Sequence, residues 1–460
     1  MKKSLIILLC VLLSNIAFSQ LAGEWKGTME IQGAKLRIVF HIQKAQDKYS
    51  AKFDSPDQNA YGLSIDEVLF NKPDVAIKIP MIGAIYNGKM NGNKNEIIGT
   101  FEQGGLSIPL NLELIESESS TVRPQTPKKP YPYFSKEVLI ENITDNIQLA
   151  GTLTLPDSIG KYPVAILISG SGPQDRDETI FGHKPFLVLA DYLTKNGIGV
   201  LRFDDRGVGK STGDFYSATT TDFATDVKSC IQFLKAQNNV FPDKIGLIGH
   251  SEGGIVATMI AANNSNIAYV VSMAGSGISG EEIIYAQTEK MFQDLDSQNI
   301  EKQVKLRRDL ISVIQSENNK ELARKKLEEI LNNNLNVLSI QPIQDTVQLI
   351  NNAVTVFNSD WYRFFINYNP SEDIEKITCP VLALIGEKDI QVLPEQNLPA
   401  IEEALKNGGN NNYLVKEIQN VNHLFQTANT GKVNEYGEIE ETISPEVLAL
   451  ISDWIISNKE

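Results

Sequence analysis

The spacing of apolar residues along the chain changes character after about residue 116. Before that point apolar and polar residues alternate, as at Ile38, Phe40 and Ile42, and turn residues such as Asn-Lys-Pro-Asp at 71–74 separate the runs. Alternation with one apolar face is typical of half-buried antiparallel strands. About eight short strands at this spacing predict a small all-β domain over residues 20–116, either a barrel or a sandwich.

The rest of the chain follows a different pattern. Residues 117–134 contain four prolines without periodicity, which predicts a semi-rigid extended linker. Over residues 135–460, apolar strand-like runs alternate with helical stretches, the pattern of an α/β doubly wound sheet. One segment, about 276–378, is amphipathic and helical with no convincing strand, and we expect it to form a lid or cap.

The N-terminus has the pattern of a secretory signal peptide over residues 1–19. Two lysines follow Met1, an apolar run covers 5–13, and the small residues Ala17 and Ser19 precede the expected cleavage position. The apolar run is shorter than the ~20 residues that span a bilayer. We therefore expect an exported protein, periplasmic or extracellular, without a stable membrane anchor.

Composition narrows the classes of partner. The chain carries 42 Lys and Arg against 57 Asp and Glu, a formal charge of −15, which argues against a nucleic-acid partner. Three cysteines, Cys10, Cys230 and Cys379, cannot form a disulfide framework. After removal of the signal, a single bridge and two buried free thiols both stay open, and free thiols are the safer expectation.

The strongest chemical signal lies at residues 249–253, Gly-His-Ser-Glu-Gly, between an apolar strand and an apolar helix start. Glycines permit a sharp, crowded turn that exposes Ser251 at its tip. The N-terminus of the following helix supplies backbone N–H groups and a favourable dipole to a developing oxyanion. This context favours a serine nucleophile over a purely structural turn.

A serine nucleophile needs a base, and the chain has four histidines. His41 belongs to the predicted β-domain, His183 precedes the serine, and His250 abuts it with a side chain expected to point away. His423 follows an apolar strand near the C-terminus and is the natural candidate for the base.

The third group of such a site orients the imidazole. Asp389 follows the apolar run at 381–386 and lies between the serine and the candidate base in the sequence. Glu387 is its nearest rival, and a solvated turn carboxylate is the alternative interpretation.

These motifs in combination resemble a known family. Residues 135–460 resemble the α/β-hydrolases, particularly secreted bacterial esterases related to the serine aminopeptidase-like group. The motifs in common are Gly-His-Ser-Glu-Gly-Gly at 249–254, the Asp389 loop and the His423 loop, in that order. The sequence Asp-Asp-Arg-Gly-Val-Gly-Lys-Ser at 204–211 also resembles the family's loop before the nucleophile. The resemblance implies an α/β-hydrolase fold with the serine as nucleophile, the aspartate as acid and the histidine as base.

The resemblance also locates the oxyanion hole. One backbone donor is the N–H of Glu252, and the second comes from the loop after the family's third strand. In this chain the expected second donor is the N–H of Ser171, with Gly172 as the alternative. Gln174 and Arg176 in the same loop either line or brace the pocket or form surface salt bridges.

The favoured function is hydrolysis of a carboxylic ester through an acyl-enzyme, on a small-molecule or glycan-linked acyl ester. A serine aminopeptidase or amidase on the same scaffold is the main alternative, and it would need carboxylates for a free amine, such as Glu281, Glu282, Asp294 or Asp296. A thioesterase and a non-catalytic binding protein with a hydrolase fold are further alternatives. No cofactor or metal is expected, since no cluster with zinc-ligand spacing occurs. The sequence leaves the oligomeric state open.

Overall fold

The chain divides into two compact units, Met1–Ser120 and Thr121–Glu460, each with its own hydrophobic core. A computed structural model describes residues 21–31, 34–45, 48–55, 60–79, 84–103, 106–115, 123–293, 295–338 and 346–458. The predicted signal peptide at 1–19 and the first part of the predicted linker, 117–122, lie outside the described residues.

The first unit is a closed antiparallel barrel. Strands β1 to β7 each pair with the next, β7 also pairs with β9, and β9 returns to β1. The strands are β1 (Gly23–Ile31), β2 (Ala34–Ala45), β3 (Lys48–Ser55), β4 (Ala60–Asn71), β5 (Asp74–Ile79), β6 (Ala84–Met90), β7 (Glu96–Gln103), β8 (Leu106–Pro109) and β9 (Leu112–Ile115). The all-β prediction is confirmed, in its barrel form.

Strands β8 and β9 are one barrel strand with an interruption. Both pair with β7, and the break falls at Leu110 and Asn111, directly after Pro109, which has no N–H to donate. Eight positions around the barrel are therefore filled by nine strands.

Aromatic side chains fill the barrel interior. Trp25, Phe40, Phe53, Tyr86 and Phe101 are all at most 3% exposed. The ring centroids of Phe40 and Phe53 lie 5.5 Å apart, and those of Phe53 and Phe101 lie 6.2 Å apart. Period-two alternation in the sequence has thus placed one face of each strand in a packed core.

The second unit contains an eight-stranded sheet in the order β10-β11-β13-β12-β14-β15-β16-β17. Its strands are β10 (Phe134–Asn142), β11 (Ile147–Leu155), β12 (Tyr162–Ile168), β13 (Gly199–Phe203), β14 (Val240–His250), β15 (Val270–Met273), β16 (Val381–Gly386) and β17 (Tyr413–Ile418). Strands β10 and β11 pair antiparallel, and all pairs from β13 to β17 are parallel. The carboxyl ends of the parallel strands therefore share one edge, where the loops that carry chemistry meet.

Helices cover both faces of this sheet, as the doubly wound prediction requires. Residues of α1 and α12 pack on one face, and residues of α2, α3 and α11 pack on the other. The helices are α1 (Pro185–Lys195), α2 (Thr220–Lys235), α3 (Glu252–Ala262), α4 (Gly280–Met291), α5 (Ser297–Ser316), α6 (Lys320–Asn333), α7 (Leu335–Leu338), α8 (Thr346–Phe357), α9 (Asp360–Asn367), α10 (Ser371–Ile374), α11 (Pro394–Asn407) and α12 (Pro445–Ser457).

Helices α4 to α10 form one helical insertion between β15 and β16. The insertion has a core of its own that includes Leu310, Leu327, Leu331 and Tyr362. Among the described residues, no helix has the length and apolarity needed to cross a membrane.

Residues 123–133, the described part of the predicted linker, are bonded to the second unit. Arg123 donates to the carbonyls of Phe181 and Gly437, and Gln125 donates to the carbonyl of Ile443. The domain boundaries drawn from the sequence stay predictions.

Candidate active site

Ser251 stands on a strained turn between β14 and α3. Its backbone has φ 52° and ψ −117°, and its N–H donates to the carbonyl of Met273. A Cβ on Gly249 would lie 2.0 Å from the carbonyl oxygen of Gly253, and one on Gly253 would lie 2.1 Å from the carbonyl oxygen of Ile168. The glycines of the motif are therefore required by close backbone contacts, as the sequence predicts.

The Asp389 and His423 side chains are directly bonded. His423 Nδ1 donates to Asp389 Oδ2 over 2.7 Å, and both residues are buried. The other oxygen of the carboxylate accepts from the N–H groups of Gln391 and Val392. This fixes the carboxylate so that it holds one orientation of the imidazole.

Glu387, the rival carboxylate, has a different role. It is exposed, and it accepts a hydrogen bond from the N–H of Asn420 over 2.8 Å. It therefore braces the backbone of the loop that precedes His423, and the carboxylate on the imidazole is that of Asp389.

His250 connects the nucleophile turn to the His423 loop. Its ring centroid lies 4.9 Å from that of His423, and its Nε2 bonds the His423 carbonyl oxygen over 3.0 Å. Its other ring nitrogen bonds the buried Glu178 carboxylate. Since Ser251 directly follows His250, the turn at the end of β14 lies next to the loop of His423.

The loop after β12 lies against Ser251. A Cβ on Gly170 would lie 3.2 Å from Ser251 Cβ, and the Gly170 N–H already donates to a buried carboxylate. Among the described residues, the N–H groups of Ser171 and Glu252 have no acceptor. Gly172, the alternative donor, has φ +90°. The assignment of Ser171 and Glu252 as oxyanion donors stays a prediction.

Gln174 and Arg176 lie in the same loop and are held by acidic residues. Arg176 forms ion pairs with Asp204, at 2.8 Å, and with Glu137. The Gln174 N–H donates to the Asp205 carboxylate. Arg176 therefore braces the loop, one of the roles that the sequence left open.

The side chain of Glu252 is a feature that the sequence did not reveal. It is buried, and one carboxyl oxygen accepts from Thr220 Oγ1 at 2.7 Å and from Trp361 Nε1 at 2.8 Å. Burial raises the pKa of the Glu252 carboxyl. Trp361, in α9, also stacks on Phe365 with ring centroids 5.5 Å apart. The helical insertion thus contacts the residue after the nucleophile; the aromatic cluster at 361–365 was the only sequence signal for it.

Asp205 is a second buried acid beside the site. It accepts from Ser169 Oγ at 2.6 Å and from the Gln174 N–H at 2.9 Å. Burial raises the pKa of Asp205 to about 8, and the nearby carboxylates of Glu178 and Glu252 act in the same direction. Asp205 is therefore mostly protonated at neutral pH and helps to shape the loop without adding a charge.

The parts assembled here are those of nucleophilic acyl transfer: a serine on a strained turn, an imidazole oriented by a carboxylate, and backbone N–H groups without acceptors. Cys230 and Cys379 are free thiols, as expected. Burial raises the pKa of both, that of Cys379 to about 11, so neither supplies a thiolate nucleophile at neutral pH. Within the described residues, no His, Cys, Asp or Glu side chains are grouped to hold a metal ion.

The chain is similar to several known proteins. The chain is similar to esterase EstD of Thermotoga maritima, with 23% identity over 330 residues that cover 71% of this chain and 70% of EstD. Solved structures similar to it include the Pyrococcus furiosus esterase Pf2001 (18% identity, 75% of this chain, 100% of that chain, TM-score 0.43) and the hydrolase GrgF from Penicillium (17%, 71%, 99%, 0.42). The family model described as the alpha/beta hydrolase fold matches residues 166–429, more than half of the chain. The chain therefore belongs to the α/β-hydrolase fold family.

Proposed function

We propose that the protein is a serine hydrolase of carboxylic esters that works through Ser251, His423 and Asp389. The observation that carries the proposal is the 2.7 Å hydrogen bond between His423 and Asp389, placed beside the strained Ser251 turn. The similarity to an esterase supports the same reaction class.

In the proposed acylation step, Nε2 of His423 removes the proton from Ser251 Oγ as the oxygen attacks the ester carbonyl. Asp389 stabilises the imidazolium that forms, and the N–H groups of Glu252 and Ser171 bind the oxyanion. Collapse of the tetrahedral intermediate breaks the ester C–O bond, and the imidazolium gives its proton to the leaving alkoxide. The products of this step are an alcohol and an acyl-enzyme.

In the proposed deacylation step, His423 removes a proton from water, which attacks the acyl carbonyl. The second tetrahedral intermediate expels Ser251 Oγ, and His423 returns the proton to it. The carboxylic acid leaves and the enzyme regains its starting state. Every proton passes through one imidazole, so the reaction needs no metal.

Three of the four carboxylates considered for binding a free amine accept hydrogen bonds from neighbouring protein groups. Glu281 accepts from Tyr285 and Gln315 through its two oxygens, and Glu282 caps α4 by accepting from Ser279. Asp296 is the N-cap of α5 and accepts from the backbone N–H and the side-chain amide of Asn299. Asp294 lies outside the described residues. Engagement of these groups favours an ester over an aminoacyl amide.

The proposal extends to the helical insertion as a lid. Trp361 lies on the insertion and is bonded to Glu252, the residue after the nucleophile. A lid in this place would cover the acyl group of a bound ester and set its length.

A panel of substrates tests the reaction class. p-Nitrophenyl esters from acetyl to long-chain acyl groups are compared with aminoacyl p-nitroanilides at equal concentration. We expect higher kcat/KM for an ester than for every amide. Faster amide hydrolysis would reverse the ranking in favour of an aminopeptidase.

We also propose that the protein is exported and acts on small-molecule or glycan-linked acyl esters outside the cytoplasm. The pattern at residues 1–19 supports this. N-terminal sequencing of the protein recovered from the periplasm or the medium should begin at Gln20. Full-length protein recovered only from the cytoplasm would contradict export.

A further inference from the structure

A second histidine–carboxylate pair lies behind the nucleophile and has no part in the proton transfers described above. His250 Nδ1 donates to Glu178 Oε1 over 2.9 Å, and both side chains are less than a tenth exposed. The other ring nitrogen, Nε2, lies 3.0 Å from the carbonyl oxygen of His423. The pair therefore touches the loop of the catalytic base.

Both ring nitrogens of His250 face acceptors. A carboxylate and a carbonyl oxygen can each only accept, so both bonds form only if both ring nitrogens carry a proton. Beside the Glu178 carboxylate, a neutral ring would leave one nitrogen without a proton to donate: Nε2 facing the His423 carbonyl in one tautomer, or Nδ1 facing the carboxylate in the other. With Glu178 ionised, the hydrogen-bond geometry therefore fits His250 as an imidazolium.

Glu178 also bonds the loop after β12, which carries the proposed oxyanion donor Ser171. The same Oε1 that accepts from His250 also accepts from the Gly170 N–H over 2.9 Å. A Cβ on Gly170 would lie 3.4 Å from His250 Nδ1 and 3.2 Å from Ser251 Cβ, so the loop, the imidazole and the nucleophile are packed closely. Glu178 itself has φ 52°, an unfavourable backbone conformation for a non-glycine residue.

We propose that His250 and Glu178 are positioning residues of the esterase. As an imidazolium–carboxylate pair they hold two loops in place around Ser251: the loop of Gly170, which carries the proposed oxyanion donor, and the loop of His423, the proposed base. The link runs from the Gly170 N–H through Glu178 and His250 to the His423 carbonyl. This inference rests on the proposed function.

Several charged groups surround the His250–Glu178 pair. His250 faces Glu178 on one side and the Asp389–His423 pair on the other, while Asp205 and Glu252 lie near Glu178 on neighbouring elements. Burial lowers the pKa of His250, but the Glu178 carboxylate, the His423 carbonyl and the Asp389 carboxylate together outweigh this and the net pKa is raised. The His250 imidazolium therefore lies with its ring centroid 4.9 Å from that of His423.

The protonation state can be measured without activity. The chain has four histidines, so protein labelled with ¹⁵N-histidine shows few imidazole signals. At pH 8 we expect one histidine of the second unit to have both ring nitrogens protonated, and this signature should be lost in Glu178→Gln. If no histidine signal of imidazolium type depends on Glu178, the pairing is wrong, even in a fully active esterase.

Kinetics test the positioning role. In Glu178→Gln and His250→Asn, kcat for p-nitrophenyl acetate should fall at least tenfold with KM changed less than threefold. In a plot of kcat/KM against pH, the acid limb should move to higher pH by about half a unit or more, because the His250 cation next to His423 is lost. His183→Asn, which alters another buried histidine bonded to Thr442 and Tyr436, is the matched control and should leave the acid limb in place.

Two outcomes separate this inference from the proposed function. Folded Glu178→Gln and His250→Asn proteins with the wild-type kcat and acid limb would overturn the positioning role while leaving the esterase intact. If one variant fails to fold, the other still decides the outcome. If a fluorophosphonate did not label Ser251 in the wild-type enzyme, the proposed function would be overturned. The NMR result on His250 would not depend on that outcome.

Discussion

Nε1 of Trp361 donates a 2.8 Å hydrogen bond to the carboxyl group of Glu252, the residue that follows Ser251. The bond joins helix α9 of the insertion to the first turn of α3. Since Glu252 is buried, its carboxyl group depends on protein donors, here Trp361 and Thr220. The position of the insertion and the geometry of the proposed oxyanion hole are therefore coupled.

Substitution Trp361→Phe should lower esterase kcat/KM by about fivefold. Loss of one hydrogen bond to a buried acceptor costs about 1 kcal/mol, and here it acts next to the reacting atoms. The measurement is steady-state hydrolysis of p-nitrophenyl acetate. Trp454→Phe, in α12 where the indole packs on Tyr269, is the matched control and should alter stability but not kcat/KM.

The chemical form of Glu252 can be tested in the same assay. Because burial raises the pKa of this carboxyl, Glu252→Gln should keep both hydrogen bonds and stay within about threefold of wild-type kcat/KM. Glu252→Ala removes the acceptor and should lose about tenfold or more. An equal loss of kcat/KM in both variants would mean that activity depends on the charge of Glu252 and not on its hydrogen bonds.

Asp389→Asn should lower kcat by about 10⁴-fold with little change in fold. An amide in this place can present its NH₂ group to His423 Nδ1, which favours the wrong tautomer of the imidazole. Stopped-flow or long-time-course hydrolysis measures the loss, and circular dichroism checks the fold. Glu387→Gln is the matched control, and a comparable loss in that variant would make Glu387 the catalytic acid.

Gly253→Ala should destabilise the protein by about 3 kcal/mol or abolish folding. The new Cβ would lie 2.1 Å from the carbonyl oxygen of Ile168, a backbone atom in a buried strand that cannot move away at small cost. Gly172→Ala is the comparison, since its Cβ meets nothing within 4 Å and only the φ of +90° opposes it, at about 1–2 kcal/mol. Urea denaturation of the two variants should rank them in this order.

The barrel should lose stability as pH rises above neutrality. Burial by itself lowers the pKa of His41, but hydrogen bonds to Asp54 and Glu24 raise it to about 9 in the folded state, against 6.5 in the unfolded chain. A raised pKa means that the folded state binds the proton more tightly. The contribution of His41 is therefore complete below pH 6.5 and is lost as the pH rises through 9.

Tryptophan fluorescence can follow this loss in the barrel alone. The chain has three tryptophans, and Trp25 is the buried one in the barrel. In a Trp361→Phe/Trp454→Phe background, unfolding of the barrel should occur at a lower temperature at pH 9.5 than at pH 6. His41→Asn should remove most of this difference in unfolding temperature. If the difference persists in that variant, groups other than His41 cause it.

Much of the architecture was predictable because the patterns that encode it are local. Alternation at Ile38, Phe40 and Ile42 marks a barrel strand, and Gly249 is required by a backbone contact within the same turn as Ser251. The order of serine, aspartate and histidine along the chain likewise indicated that Asp389 and His423 would meet.

Contacts between distant residues that no sequence motif connects could not be predicted. Glu178 and His250 are 72 residues apart, and Trp361 and Glu252 are 109 apart, so no local period connects them. The prolines at 117–134 indicated an extended segment, but nothing in their pattern indicated that Arg123 would bond carbonyls more than 300 residues later. Such pairings depend on tertiary packing of loops at the carboxyl edge of the sheet.

Labelling of the nucleophile tests the central claim most directly. The full-length protein and its Ser251→Ala variant are treated with a fluorophosphonate, and the modified peptide is located by mass spectrometry. We predict one stoichiometric adduct on Ser251 in the wild-type protein, and in the variant neither an adduct nor p-nitrophenyl acetate turnover. An adduct on another residue, or wild-type turnover in a folded Ser251→Ala protein, would contradict the account.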